Sequence, residues 1–220
     1  LLHPGAVYLR RGETYVVLEL DLERNFARIR REDTDYYTQP IGGTDIHHVD
    51  HLLRAKPFGS GRACWGDVTA YSRTRAYTRI HFYSLDAISI HPLTLPAMAL
   101  DTMAFWIIPP DALLEQARTA GLDVHSGLRG IGYAIRSLLP LFITCDTRDF
   151  SHTVGSVNSP WSAVFVFERF PLGLGFTERA YDRLHDLMPA VLALIRDCPC
   201  DQGCPCCVGK PLRATSLGNV

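Results

Sequence analysis

The chain has no long apolar run and no excess of charge of either sign. Its longest apolar stretch, residues 138–144, contains Pro140 and is much shorter than the roughly 20 residues of a membrane-spanning helix. The sequence has 22 basic and 23 acidic residues, which leave a net charge of −1. We therefore expect no membrane partner, and any binding of nucleic acid has to come from a local basic patch.

The sequence also lacks the short motifs of common catalytic and nucleotide-binding sites. It contains no G-x-x-x-x-G-K-[ST] phosphate loop, no H-E-x-x-H motif and no G-x-S-x-G nucleophile elbow. We therefore predict no catalytic residue, and we expect that the chain by itself is not an enzyme and does not hydrolyse ATP. The first residue is Leu1 and not Met, which leads us to expect a segment of a longer protein.

Cysteine is concentrated near the end of the chain. Five of the seven cysteines lie in the ten residues Cys198-Pro-Cys-Asp-Gln-Gly-Cys-Pro-Cys-Cys207. Thiolates at Cys-x-Cys and Cys-x-x-Cys spacing can converge on one tetrahedral metal ion. We predict that the ligands are Cys198, Cys200, Cys204 and Cys207 and that Cys206 is not one. The spacing identifies the metal poorly, so that an iron–sulfur site and a pair of disulfides stay open as alternatives. Clustered cysteines without a signal peptide favour a reducing, cytoplasmic location.

The composition predicts a mixed α/β (α+β) fold. Residues 1–100 contain many short β-branched and aromatic runs separated by turns, which indicate a β-rich, barrel-like domain. Residues 101–220 change character and predict a smaller α/β domain that contains the cysteines. We expect helices over residues 111–119 and 128–139 and a long helix from about Thr177, its N-cap, to Cys198. Short strands are predicted over residues 104–108, 142–144 and 163–167.

Two groups of residues are candidates for contact with nucleic acid. Arg73, Arg75, Tyr77 and Arg79 have the same parity in a predicted strand, and a basic and aromatic strand face can track a phosphate backbone. The alternative is a solvated strand face with packed rings. Gly173 and Gly175 open a helix after a strand, where free N–H groups can bind phosphate. The alternative there is a tight turn that needs positive φ.

Two carboxylates follow the strand predicted over residues 142–144. Asp146 and Asp149 could hold Mg²⁺ or act in acid–base chemistry, as in a metal-dependent nuclease. The alternative is a polar loop in which these side chains cap turns or pair with Arg148.

These residues resemble a known family. Residues 128–208 are similar to the zinc-binding C-terminal domain, DUF1998 or MZB, of the MrfA/YprA/Hrq1 group of superfamily 2 DNA helicases. The preceding β-rich residues resemble the region after the motor domains of the same helicases. The matching stretches include His3-Pro-Gly-Ala-Val-Tyr8, Phe142-Ile-Thr-Cys-Asp146, Val164-Phe-Val-Phe-Glu168, Phe170-Pro-Leu-Gly-Leu-Gly175 and the cysteine run. Two departures from the family are Leu172 in place of a loop glycine and Cys206 in place of the serine of Cys-Pro-Ser-Cys.

The resemblance implies a structural Zn²⁺ and a parent protein that is an ATP-dependent 3′-to-5′ DNA helicase acting in DNA repair. ATP and Mg²⁺ would bind only in motor domains outside this chain, which would be an accessory region. The implied partners are those motor domains and single-stranded or forked DNA, and the implied location is the nucleoid. The alternative is a protein–protein interaction module of a helicase-associated, antiphage-type complex.

Overall fold

A computed structural model describes residues 2–210, and these group into two compact units. The first unit comprises the residues up to Gly43 together with Ser72–Met98, and the second comprises Thr44–Tyr71 and the residues from Ala99 onwards. Residues 44–71 thus group with the later part of the chain, although the division at residue 100 assigned them to the earlier domain. That division into two domains stays a prediction.

The first unit contains a three-stranded antiparallel sheet in the order β1-β2-β3. Its strands are β1 (Val7–Arg10), β2 (Glu13–Asp21) and β3 (Phe26–Arg31). Arg11 and Gly12 connect β1 to β2 with φ values of 51° and 80°, which is the backbone of a two-residue hairpin turn with positive φ at both positions.

Two long strands have residues in both units. They are β4 (Tyr36–Phe58) and β5 (Gly61–His81). In the first unit, β5 pairs with β6 (Ala87–Pro92) in antiparallel register. A Cβ at Gly42 would overlap the carbonyl oxygen of Arg73, so that glycine inside β4 marks a close approach of two backbones.

The larger sheet, to which β6 also belongs, has the strand order β4-β5-β7-β9-β8. Its other members are β7 (Met98–Ile108), β8 (Phe150–Ser156) and β9 (Ser159–Glu168). The helices are α1 (Asp111–Thr119), α2 (Val124–Leu138), α3 (Phe176–Asp182) and α4 (Leu184–Arg196). In the described part of the chain, none of the helices combines the length and apolarity needed to cross a bilayer.

Strand β9 is buried on both faces. Val166 faces a core that is shared with the helices and includes Ile135, Leu184 and Leu187. Phe165 and Phe167 point to the opposite face, where residues of β4, β5 and β7 form a second core. Alternation along a strand sends neighbouring side chains to opposite faces, so the apolar residues 163–167 of β9 contribute to both cores.

The mixed α/β fold is confirmed, but the barrel-like expectation is wrong. Over residues 2–210 neither sheet closes, because each strand order ends on an edge strand. Instead of short strands separated by turns, residues 36–81 contain the two long strands β4 and β5, of 23 and 21 residues. Glycines inside these strands resemble turns in sequence, whereas in the structure they allow backbones to approach.

The helix predictions are partly confirmed. Helix α1 has the predicted bounds, and α2 begins at Val124, where the Asp123 side chain accepts a hydrogen bond from the Ser126 N–H at 3.1 Å. The predicted long helix is in fact two helices separated at Arg183, and the N-cap of α3 is Gly175 and not Thr177. The strand predicted over residues 142–144 is wrong, because these residues follow a short 3₁₀ turn without pairing in a sheet.

Candidate functional site

The cysteine run lies directly after helix α4. The helix ends at Arg196, and the following turns bring together the sulfurs of Cys198, Cys200, Cys204 and Cys207, all within 4.8 Å of one another. We call residues 198–208 the cysteine knuckle. Its turn depends on Gly203, which has a φ of 83°, a conformation that residues with a Cβ rarely adopt.

The sulfur separations fit a single tetrahedral ion. The distances are 3.7 Å for Cys198–Cys204, 3.5 Å for Cys200–Cys207 and 3.7 Å for Cys204–Cys207. Four ligands at the usual Zn–S distance stand about 3.8 Å apart, whereas disulfide sulfurs are about 2.05 Å apart. All seven cysteines are free thiols. The geometry therefore argues against disulfides and leaves room for one ion rather than for a cluster of several irons.

Hydrogen bonds within the knuckle shift the pKa values of two thiols in opposite directions. The backbone N–H of Cys207 lowers the pKa of Cys204 to about 6, whereas hydrogen bonding with the neighbouring Cys198 thiol raises the pKa of Cys200 to about 12. The N–H of Cys204 also donates to the sulfur of Cys207 at 3.3 Å. One thiolate is thus stabilised, while further thiolates repel one another unless a cation lies between them.

Burial separates Cys206 from the other four cysteines. Cys207 is buried and Cys198, Cys200 and Cys204 are half-buried, whereas Cys206 is exposed. The sulfur of Cys206 does not belong to the cluster of converging sulfurs. This placement agrees with the set of four ligands that the spacing predicts.

The cysteine knuckle packs against helix α2 through small residues. A Cβ at Gly130 would lie 3.0 Å from Cβ of Val208, and one at Gly209 would lie 2.7 Å from the ring of Tyr133. Val208 in turn covers Gly203, where a Cβ would lie 2.7 Å from Cγ2 of Val208. Because Gly130 on the helix and Gly209 just after the knuckle have no Cβ, the knuckle can lie directly on the helix.

Sequence reasoning missed the role of Glu168. This side chain is fully buried at the end of β9. One carboxylate oxygen accepts hydrogen bonds from the N–H and the hydroxyl of Thr177 at 2.9 and 2.8 Å, and the other accepts from the N–H of Leu174. The sequence did contain a signal for this role. Glu168 ends a strand and precedes by nine residues a Thr in the first turn of a helix.

This carboxylate occupies the position where a phosphate was predicted to bind. Gly173 and Gly175 do form the turn before α3, with φ values of 72° and 81°. However, the N–H groups of Leu174 and Thr177 already donate to Glu168. The geometry favours the alternative, a tight turn that needs positive φ, and a phosphate contact at the two glycines stays a prediction.

The four predicted residues of β5 do not share one surface. Arg73 and Arg75 are exposed. Tyr77 is buried, and its ring stacks on that of His91 at a centroid distance of 5.0 Å. The Arg79 guanidinium lies 5.0 Å from the centre of the Tyr36 ring. The structure therefore leaves two of the four side chains accessible to a ligand.

Asp146 and Asp149 cap a turn. Asp146 accepts a hydrogen bond from the Arg148 N–H at 2.8 Å, and Asp149 accepts one from the Asp146 N–H at 2.8 Å. The first of these bonds holds the pKa of Asp146 below its usual range. Within residues 2–210 they join no group of three potential metal ligands, so the arrangement favours the capping alternative over a nuclease site.

A known protein family matches the later part of the chain, which contains the cysteines. The family model of the MrfA Zn-binding domain, MZB, matches residues 131–208, which include the knuckle, β9 and the second half of α2. The family match and the four-cysteine cluster together identify structural zinc as the cofactor of this segment.

Similar proteins extend over nearly the whole chain. It is 29% identical to the uncharacterized ATP-dependent helicase YprA of Bacillus subtilis over 96% of its length, and 24% identical to the ATP-dependent helicase HRQ1 of Saccharomyces cerevisiae over 94%. It covers only 28% and 20% of these relatives.

Solved structures give the same result. The crystal structure of the DUF1998 helicase MrfA bound to DNA matches 98% of this chain with a TM-score of 0.62 and 27% identity, and the chain covers 29% of it. The structure of MrfA with DNA and AMPPNP matches with a TM-score of 0.55. Residues 131–208 therefore match the family model of the MrfA Zn-binding domain, within a chain that is homologous to the C-terminal region of DUF1998 helicases.

Proposed function

We propose that this chain is the zinc-stabilised accessory region of an ATP-dependent 3′-to-5′ DNA helicase that acts in DNA repair at the nucleoid. The motor domains of the same polypeptide would bind ATP and Mg²⁺, and this region would contact a single strand or a fork. The observation that carries the proposal is the convergence of four cysteine sulfurs inside the segment that matches the MrfA Zn-binding domain.

In this proposal, Cys198, Cys200, Cys204 and Cys207 hold the zinc. A bound Zn²⁺ supplies a cross-link between the end of α4 and the turn at residues 203–207, which is a structural and not a catalytic contribution. The cysteines position the ion, and the contact of Val208 with Gly130 transmits the restraint to α2.

A pair of serine variants tests the ligand assignment. Cys204→Ser removes one of the four converging sulfurs, and we expect zinc content to fall from about one ion per chain toward zero. Cys206→Ser is the matched control, because this exposed thiol is two residues away and outside the cluster. Plasma mass spectrometry of both purified proteins measures the difference, and equal zinc in the two variants would contradict the assignment.

Contact with DNA is assigned to Arg73 and Arg75 in the first unit. Both are exposed, and within the described residues neither forms an ion pair, so their charge is available to phosphate. By contrast, Arg28 and Arg30 on β3 already pair with Glu19 and Glu32. Phosphate contacts dominate affinity without reading sequence, which suits an accessory surface that follows any strand.

The function is tested by fluorescence anisotropy with labelled single-stranded and forked oligonucleotides. We expect salt-dependent binding by the zinc-loaded chain and affinity about tenfold lower in Arg73→Gln/Arg75→Gln. Arg28→Gln/Arg30→Gln removes the same charge from paired residues and should leave affinity within about twofold. Absence of salt-dependent DNA binding, with binding only to a helicase partner, would favour a protein–protein interaction module instead.

A further inference from the structure

A groove opens in the second unit beside the junction of helices α3 and α4. It has a volume of about 410 Å³. One wall is the segment after α2, and the other is formed by the two helices. The lining residues are Phe142, Ile143, Thr144, Arg179, Asp182 and Arg183.

Two arginines project from the helical wall. Arg179 and Arg183 are four residues apart, and the N–H of Arg183 donates to the carbonyl of Arg179 at 3.2 Å. Residues at this spacing lie on the same side of a helix, about 5–6 Å apart at Cβ. Both are exposed, and across residues 2–210 neither side chain forms an ion pair or a hydrogen bond.

The nearby carboxylates do not neutralise this pair. Asp182 accepts a hydrogen bond from Arg54 at 2.7 Å, and Glu178 forms an ion pair with the same guanidinium at 3.4 Å. The acidic side chains of α3 are thus satisfied by a third arginine. Within residues 2–210, Arg179 and Arg183 are thus left without an ion pair, on a chain whose net charge is −1.

The opposite wall offers both polar and apolar contacts. Thr144 is exposed, and its hydroxyl has no hydrogen-bond partner among the described residues. Phe142 is half-buried, and the neighbouring Leu141 is 75% exposed. Free guanidinium groups beside apolar surface suit a phosphate with an attached sugar and base better than they suit a small hydrated anion.

We propose that this groove binds a phosphodiester of a nucleic-acid strand. Arg179 and Arg183 donate hydrogen bonds to the phosphate oxygens, Thr144 donates through its hydroxyl, and the apolar surface at Phe142 contacts the sugar or base. The inference rests on the proposed function, and adds to it a second strand-contacting surface in the unit that holds the cysteine knuckle.

The test is an anisotropy titration of a labelled oligothymidylate with the zinc-loaded chain over a series of salt concentrations. We expect Arg179→Gln/Arg183→Gln to bind about tenfold more weakly. The slope of log affinity against log salt should shrink by about 0.7 for each phosphate that the variant no longer neutralises. Arg62→Gln/Arg169→Gln is the matched control, since it removes two exposed arginines of the same unit that lie outside the groove and form no ion pair within residues 2–210.

The outcomes separate this inference from the proposed function. Wild-type affinity and slope in Arg179→Gln/Arg183→Gln, with weakened binding in Arg73→Gln/Arg75→Gln, would overturn the groove and leave the proposed function intact. Equal weakening in the Arg62→Gln/Arg169→Gln control would overturn it as well, because a general decrease in positive charge would then be sufficient. Failure of the wild-type chain to bind the strand would overturn both.

Two further measurements distinguish a strand-binding groove from a folding defect and from a small-nucleotide site. Thermal melts followed by circular dichroism should coincide for the wild type and Arg179→Gln/Arg183→Gln, because both side chains are exposed. A nucleoside monophosphate at matched ionic strength should not displace the strand at micromolar concentration. Displacement there would indicate a small-nucleotide site and would contradict the proposal of a strand.

Discussion

Glu168 shows how one residue connects the sheet to the helices. It is fully buried, and no basic side chain pairs with it within residues 2–210. Its charge is balanced instead by hydrogen bonds from Leu174 and Thr177 at the start of α3. Backbone N–H groups and the positive end of a helix stabilise an anion there, so the carboxylate fixes the turn that leads into α3.

Removal of this carboxylate is expected to destabilise the second unit. Glu168→Ala leaves the donors of Leu174 and Thr177 buried without an acceptor, and we expect a loss of about 2–4 kcal/mol in the free energy of unfolding. Urea denaturation measures it. Glu23→Ala, at an exposed position in the first unit, should stay within about 0.5 kcal/mol of the wild type. A similarly small change in Glu168→Ala would show that the hydrogen bonds contribute little.

His152 gives stability a dependence on pH. Burial, together with the charges of Arg136 and Arg129, lowers its pKa to about 4, and its Nδ1 atom is buried without a hydrogen-bond partner among the described residues. The unfolded chain has the ordinary value of about 6.5. The unfolded state therefore binds more protons between these values, so that stability is full above about pH 6.5 and falls as the pH decreases toward 4.

We expect His152→Gln to reduce this loss. Urea denaturation at pH 8 and pH 5 should show a decrease for the wild type that exceeds that of His152→Gln by about 1–2 kcal/mol, a range that allows for the partial exposure of the ring. His125→Gln, an exposed histidine at the start of α2, should behave as the wild type. Identical pH dependence in wild type and His152→Gln would contradict the interpretation. Any destabilisation caused by zinc loss in acid is shared by the wild type and both variants, so it does not affect the difference between them.

At the scale of elements, helix α2 connects the sheet to the cysteine knuckle. Its glycines allow close contacts on two neighbours, since a Cβ at Gly130 would meet Val208 at 3.0 Å and one at Gly132 would meet His152 at 2.9 Å. Glycine costs a helix about 1 kcal/mol relative to alanine. The helix therefore gives up some intrinsic stability in exchange for tight packing at these two positions.

Two alanine substitutions on α2 separate the effect of intrinsic helix propensity on stability from the effect of side-chain packing. Gly127→Ala adds a Cβ with no atom within 4 Å, and we expect a gain of about 0.5–1 kcal/mol. Gly130→Ala has the same gain in propensity, but its Cβ crowds Val208, so we expect it to be at least about 1 kcal/mol less stable than Gly127→Ala. Thermal denaturation of the zinc-loaded proteins measures the difference. Equal stability would mean that the knuckle moves aside without cost.

At the scale of the whole molecule, the cysteine knuckle and the β1-β2-β3 sheet lie in different units. The cysteine knuckle and the helices that it contacts belong to the second unit, whereas the β1-β2-β3 sheet belongs to the first. A structural zinc contributes directly to folding free energy. Its contribution should therefore be confined to the unit that holds it.

Hydrogen–deuterium exchange before and after chelation tests this separation. Removal of zinc should increase exchange in α2, α4 and the knuckle, because the cross-link at the end of α4 is broken. Exchange in β1, β2 and β3 should change little. The Cys206→Ser protein treated in the same way is the control for thiol chemistry. Equal loss of protection in both units would instead show that the chain unfolds as a single cooperative body.

Local sequence patterns were sufficient to predict the four converging cysteines, the mixed fold and most of helices α1 and α2. These features depend on residues that are close in the chain. Four cysteines within ten residues have few ways to arrange their sulfurs, and the bounds of α1 follow from the apolar spacing of its own segment together with Pro110 before it.

Which candidate residues are accessible to a ligand depends on the tertiary structure. Tyr77 matches a strand that could stack bases, but it is buried against His3 and His91. Glu168 accepts hydrogen bonds from the N–H groups of Leu174 and Thr177, next to the two glycines that were candidates for a phosphate contact. Arg179 and Arg183 line a groove whose opposite wall lies almost 40 positions earlier in the chain. Such contacts join distant parts of the chain, and the burial that they produce depends on packing that no local pattern records.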